Sequence, residues 1–288
     1  MIKNVLLTGD THGRVEARLK IIKTDYSEYI PSETAIIILG DSGINYYQNK
    51  SERRKKEIIS AFGYTIYCVR GNHEERPENI STMREVYDNE ICGLVYMEED
   101  FPLIKYLVDG GEYVIKGHSC LVIGGAYSVD KQWRLERAKF FGESFSGWFA
   151  DEQLSPEEME LIENKVCGKT YDFVFSHTAP IDWEPTDLFL NGINQGLVDK
   201  SMEYFLQKIK SRIRWGVWCF GHYHADRIER PYAKQFFTQT DDMEQLWNLW
   251  YGEKTYLRRW WHPKSPWMER WENSDEGQEW LSSMSHNN

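Results

Sequence analysis

Residues 4–13 read Asn4-Val5-Leu6-Leu7-Thr8-Gly9-Asp10-Thr11-His12-Gly13, an apolar run that stops at a glycine and then presents an aspartate and a histidine two positions apart. Branched aliphatics with little polar alternation predict a strand covered on both faces. In an extended segment, side chains two apart fall on one side, so Asp10 and His12 can reach a common ion. The same grammar recurs along the chain. Ala35–Leu39 runs into Gly40-Asp41-Ser42-Gly43, and Thr65–Arg70 into Gly71-Asn72-His73-Glu74. Asp172–Ser176 runs into His177-Thr178, and Trp215–Phe220 into Gly221-His222-Tyr223-His224. Five strands thus place Gly, Asp, Asn or His at their C-terminal ends, the edge where α/β sheets bind ligands. Of the eight histidines, five (His12, His73, His177, His222 and His224) sit in four of these five turns.

A sixth apolar run, Cys120–Gly124, and several helical patterns fill the intervals. Ser51 is the expected cap of a helix that Gly63 ends. Ser155-Pro156-Glu157-Glu158 combines a cap, a proline at the first helical position and acid in the first turn, with Gly168 as the stop. Met202, Phe205, Leu206 and Ile209 form an apolar stripe within Asp199–Lys210. Strands alternating with helices predict a layered α/β (α+β) architecture. No linker or internal repeat divides the chain, so residues 1–244 are expected to form one domain. Residues 245–288 read as a Trp-rich C-terminal extension packed on it, holding Trp247, Trp250, Trp260, Trp261, Trp267, Trp271 and Trp280 of the chain's 12 tryptophans.

Composition narrows the function classes. The 288 residues carry 34 Lys and Arg against 45 Asp and Glu, a formal charge of −11, with 41% apolar residues. That is enough to build a core and excludes a disordered chain. The acidic balance disfavours a general duplex-binding surface, because affinity for phosphate backbones comes mainly from Lys and Arg. No stretch approaches the ~20 apolar residues of a membrane span, and Val5-Leu6-Leu7 is too short for a signal-peptide core, so a cytoplasmic location and no membrane partner are expected. The five cysteines, Cys68, Cys92, Cys120, Cys167 and Cys219, include no CxxC pair and read as buried free thiols. In the tail, the tryptophans beside Arg258 and Arg259 suit packing on the domain, base stacking or self-association. The Lys50–Lys56 cluster reads as a solvated helix face.

Carboxylate, imidazole and amide oxygen without thiolate suit Mn, Fe, Zn or Mg, and seven candidate ligands are too many for one tetrahedral ion. They suit two ions about 3.5–4 Å apart. The set GDTHG, GDSG, GNHE, SHT and GHYH, in this order across residues 9–224, resembles the calcineurin-like metallophosphoesterase superfamily, in a bacterial or phage form. The resemblance implies a four-layer αββα sandwich of two mixed sheets flanked by helices. It implies that Asp10, His12 and His224 hold a first metal, that Asp41 bridges, and that Asn72, His177 and His222 hold a second. His73 would be catalytic, stabilising the transition state and protonating the leaving oxygen of a phosphomonoester attacked by a metal-bridging hydroxide. The alternatives are a phosphodiesterase or nuclease, and a metal-binding scaffold with little turnover. The family's second motif usually reads GDxxDR, whose second Asp orients the catalytic histidine; here Ile44 and Asn45 stand in those places, and Glu74 is a candidate substitute carboxylate. Lys131 and Arg134, after the Gly124–Ser128 stretch (GGAYS), are candidate contacts to the phosphate ester. Nucleic acid is possible as a partner but not favoured, and the oligomeric state is open.

Overall fold

The structure, a computed structural model, describes residues 1–230 and 232–251. Its strands are β1 Asn4–Thr8, β2 Thr34–Leu39, β3 Thr65–Val69, β4 Met83–Asp88, β5 Gly93–Glu98, β6 Ile104–Leu107, β7 Gly111–Ile115, β8 His118–Ile123, β9 Thr170–Ser176, β10 Arg214–Phe220, β11 Arg227–Arg230, β12 Ala233–Gln235 and β13 Thr240–Asp242. Its α-helices are α1 Val15–Asp25, α2 Lys50–Ser60, α3 Lys131–Phe141, α4 Pro156–Val166, α5 Ser201–Arg212 and α6 Met243–Tyr251.

The strands form two mixed sheets, ordered β13-β1-β2-β3-β6-β5-β4 and β11-β12-β10-β9-β8-β7. The apolar runs read from the sequence are the parallel centres of both sheets, β1, β2 and β3 in one and β8, β9 and β10 in the other; β6, parallel to β3, joins the first without such a run in its sequence reading. The register aligns the C-terminal ends, with Leu39 opposite Val69 and Phe220 opposite Ser176. Val15, Leu19 and Ile22 of α1 and Ile59 of α2 pack on Leu6, Ile36, Ile38 and Ile66 of the first sheet. Met202, Phe205, Leu206 and Ile209 of α5, with Ile162 and Val166 of α4, pack on Leu121, Val174, Trp218 and Phe220 of the second. The alternate residues Leu7, Ile37, Tyr67, Phe173, Phe175 and Val217 are equally buried, so each sheet is covered on its other face too. The order is helix, sheet, sheet, helix, the αββα sandwich expected.

Three local expectations change. The cap of α2 is Asn49, whose side chain accepts from the Glu52 backbone N–H, so the helix begins at Lys50 rather than at a Ser51 cap. The α5 stripe runs over Ser201–Arg212 rather than Asp199–Lys210. All five cysteines are free, but Cys92 and Cys167 are exposed, against the expectation that the set is buried. The capping box at Ser155 is formed in full. The chain divides into compact units Met1–Glu244 and Gln245–Asn288. Most of the Trp-rich extension, including Trp260, Trp261, Arg258 and Arg259, lies outside the described residues. Among the described residues no helix is long and apolar enough to cross a membrane.

Candidate metal centre

The turns after β1, β2, β3, β9 and β10 meet at one edge, and four candidate ligands sit there in left-handed backbone: His12 (φ 45°), Asp41 (47°), His222 (68°) and His224 (53°). Non-glycine residues rarely adopt this region, and such strain persists where surrounding structure enforces it, typically at functional sites. Missing side chains make room for the ligands. A Cβ on Gly71 would collide with Oδ1 and the backbone N of Asp41, and one on Gly221 with Oδ1 of Asp10.

Each carboxylate is aimed by backbone donors. Asp41 Oδ1 accepts from the N–H groups of Asn72 (2.9 Å) and His73 (2.8 Å), and Asp10 Oδ1 accepts from His222 N–H (3.0 Å). Asp10 Oδ2 is buried and has no hydrogen-bond partner. It lies 3.3 Å from His224 Nε2 and 3.8 Å from His12 Nε2, and those two nitrogens are 2.8 Å apart. On the other side, His177 Nδ1 donates to the Leu39 carbonyl at 2.9 Å, which leaves Nε2 as the ring nitrogen facing the site. That nitrogen stands 2.9 Å from Asn72 Oδ1 and 3.5 Å from Asp41 Oδ1. The Asn72 amide is fixed by its NH₂ donating to Ser128 Oγ at 2.9 Å, and Ser128 Oγ donates to Glu152 Oε2 at 2.5 Å. With a neutral His177 ring two acceptors would face each other here, an arrangement that a cation between them relieves. Asp10, His12 and His224 form one group able to hold an ion, and Asp10, Asp41 and His177 another. The His222 ring lies 5.0 Å from that of His177, centroid to centroid.

The electrostatics agree. Burial alone would raise Asp41, but His177, His73, His12 and the His73 N–H hold its carboxyl below the usual range. Burial, with His177 close by, depresses His222 to about 3, which keeps a lone pair available. His224 is raised, chiefly by the Asp10 carboxylate 3.3 Å away.

The calcineurin-like phosphoesterase family model matches residues 3–226. The chain belongs to this family. No curated protein matches it. Among solved structures, TT1561 of Thermus thermophilus is similar at 11% identity and a TM-score of 0.38, covering 84% of this chain and 98% of that one.

Members of this family act on phosphate esters. His73 Nε2 lies 3.9 Å from Asp41 Oδ2 at the wall of a cavity, and its buried Nδ1 has no hydrogen-bond partner. Burial lowers its pKa, with Asp41 acting the other way. Ile44 packs in the apolar cluster of the first sheet. Glu74 accepts from Ser42 Oγ (2.5 Å), Tyr106 OH (2.9 Å) and Gly71 N–H (2.9 Å), so it braces the loop beneath the site rather than replacing the orienting Asp. Lys131 Nζ lies 4.2 Å over the Trp148 ring. Arg134 donates to Asp130 (2.7 Å), Tyr46 OH (2.9 Å) and the Gly147 carbonyl (2.8 Å), and neither cation lines the cavity. The sequence reading missed Ser128, Glu152 and Glu203. Ser128 stood in the quoted GGAYS stretch; Glu152 and Glu203 carry no motif signal.

Proposed function

We propose that the chain is a dinuclear metal-dependent phosphomonoesterase. Asp10, His12 and His224 would hold one ion, Asn72, His177 and His222 the other, with Asp41 shared. The observation that carries this reading is the convergence of His177 Nε2, Asn72 Oδ1 and Asp41 Oδ1 in a buried site, Nε2 standing 2.9 Å and 3.5 Å from the two oxygens. Oxygen and imidazole donors fit Mn, Fe, Zn or Mg. Ions held there would supply Lewis acidity toward phosphoryl oxygens and toward water. The chain's own contribution is positional. Backbone N–H groups of Asn72, His73 and His222 fix the carboxylates before any substrate arrives. His73, at the cavity wall, is placed to donate a proton to the leaving oxygen.

The unpartnered Nδ1 of His73 supports a second reading, a metal-binding scaffold with weak turnover, because no carboxylate fixes the ring. Hydrolysis of p-nitrophenyl phosphate and of its bis ester with Mn²⁺ separates the readings. The first expects monoester turnover that His73→Ala lowers by about 10²–10⁴. Absence of any turnover sensitive to His73 favours the scaffold, and faster bis-ester hydrolysis favours a phosphodiesterase.

A further inference from the structure

A cavity of about 410 Å³ adjoins the centre, with Asp41, Asn72, His73, His222 and His224 at one end. That volume suits a small molecule. Beyond the ligands its walls turn apolar, with Tyr127, Phe189, Leu190, Ile193 and Val198. None of the described residues lining it is Lys or Arg. Lys200, beside it, is paired with Glu184 at 2.7 Å. A second phosphate on the substrate would therefore find no partner away from the centre.

Besides Asp41, three carboxylates belong to the same lining, Asp130, Glu184 and Glu203, and Arg134 donates to Asp130 at 2.7 Å. Glu184 is engaged by Lys200, but Glu203 is not fully engaged. Its side chain, in the first turn of α5, is only 4% exposed. Oε1 accepts from Thr178 Oγ1 at 2.7 Å, and that hydroxyl also meets Tyr223 OH at 2.9 Å. Oε2 is buried and has no hydrogen-bond partner. A buried acceptor left open costs stability, and native proteins seldom keep one without a use. The chemistry that satisfies it is a donor carried by whatever fills the cavity.

We infer that Glu203 selects the leaving group, and that the substrate is a phosphomonoester of an apolar alcohol or phenol whose far end carries a hydrogen-bond donor. The phosphate faces the ligand cluster, the apolar body lies against Phe189, Leu190 and Ile193, and the donor reaches Glu203 Oε2. This rests on the phosphomonoesterase reading for the seating of the phosphate. A hydroxyl and an amine share the required chemistry, and the test separates them.

The probes are methylphosphonate, benzylphosphonate and its 4-hydroxymethyl and 4-aminomethyl derivatives, titrated calorimetrically into Mn²⁺-loaded full-length protein. Benzylphosphonate should bind more tightly than methylphosphonate, and at least one donor-bearing compound about tenfold more tightly still, the scale of one hydrogen bond to a buried acceptor. Glu203→Gln presents its NH₂ to the cavity while its oxygen can still accept from Thr178; it should keep benzylphosphonate affinity and lose the donor advantage. A thermal melt of the variant establishes that it is folded. Equal affinity for benzylphosphonate and both donor compounds, an advantage that survives Glu203→Gln, or no binding of any probe overturns the inference. Tight, Glu203-dependent binding with no turnover of the matching phosphates would instead count against the hydrolytic reading alone.

Discussion

Glu203 also titrates in a way that reports its burial. Desolvation, opposed by the Thr178 hydroxyl and assisted by Glu184, raises its carboxyl to about 7. The folded state therefore holds a proton that the unfolded chain releases near 4.5, so stability falls as pH rises between those values. The full penalty is on the order of 3 kcal/mol above pH 7. Glu203→Gln should match the wild type near pH 4.5 and melt higher than it at pH 8. An unchanged difference across that range would show that the carboxyl is ionised or solvated in the folded protein. At this scale the clustering of the candidate ligands was legible, because Asp, Asn and His after Gly mark the turns at the strand ends that the fold brings together. The supporting residues behind them were not. Ser128 and Glu152 orient Asn72 from far along the chain, and no local pattern announces that. Arg134 looked like a free cation in the sequence, but Asp130, Tyr46 and Gly147 take its donors.

The elements divide by how they are buried. β1, β2, β3, β8, β9 and β10 were legible as apolar runs because both faces are covered. β4 and β5 are antiparallel strands at the edge of their sheet with mixed exposure, so their patterns, Met83–Asp88 and Gly93–Glu98, lack such a run. The turns that carry ligands depend on glycine in a testable way. Gly71→Ala would drive a methyl group into Asp41. The variant should keep its secondary structure by circular dichroism yet bind less metal; normal metal content would show that the loop yields without moving Asp41. Ser155→Ala tests an element remote from the site. It removes the capping box of α4 and should cost about 1 kcal/mol in denaturant unfolding, with turnover unaltered. A change in kcat would mean that α4 is coupled to the centre.

The whole molecule assembles one site from two sheets. Asp10, His12, Asp41, Asn72 and His73 follow strands of the first sheet, and His177, His222 and His224 follow strands of the second. Ions bound between them would clamp the layers, so the account expects binding to the native state to raise stability by mass action. Mn²⁺ should raise the melting temperature and chelator should lower it, and a melting point indifferent to both would contradict that coupling. The acidic total of −11 obscures this site, because Asp10 and Asp41 face histidine nitrogens and would be neutralised by bound ions. The central claim is that these residues, His73 apart, build a two-ion centre with Asp41 shared. Elemental analysis of the Mn²⁺-loaded, desalted protein tests it most directly. Two ions per chain are expected, falling to one or fewer in Asp41→Asn; a wild type that holds fewer than two, or a variant that still holds both, would rule out a two-ion centre with Asp41 shared.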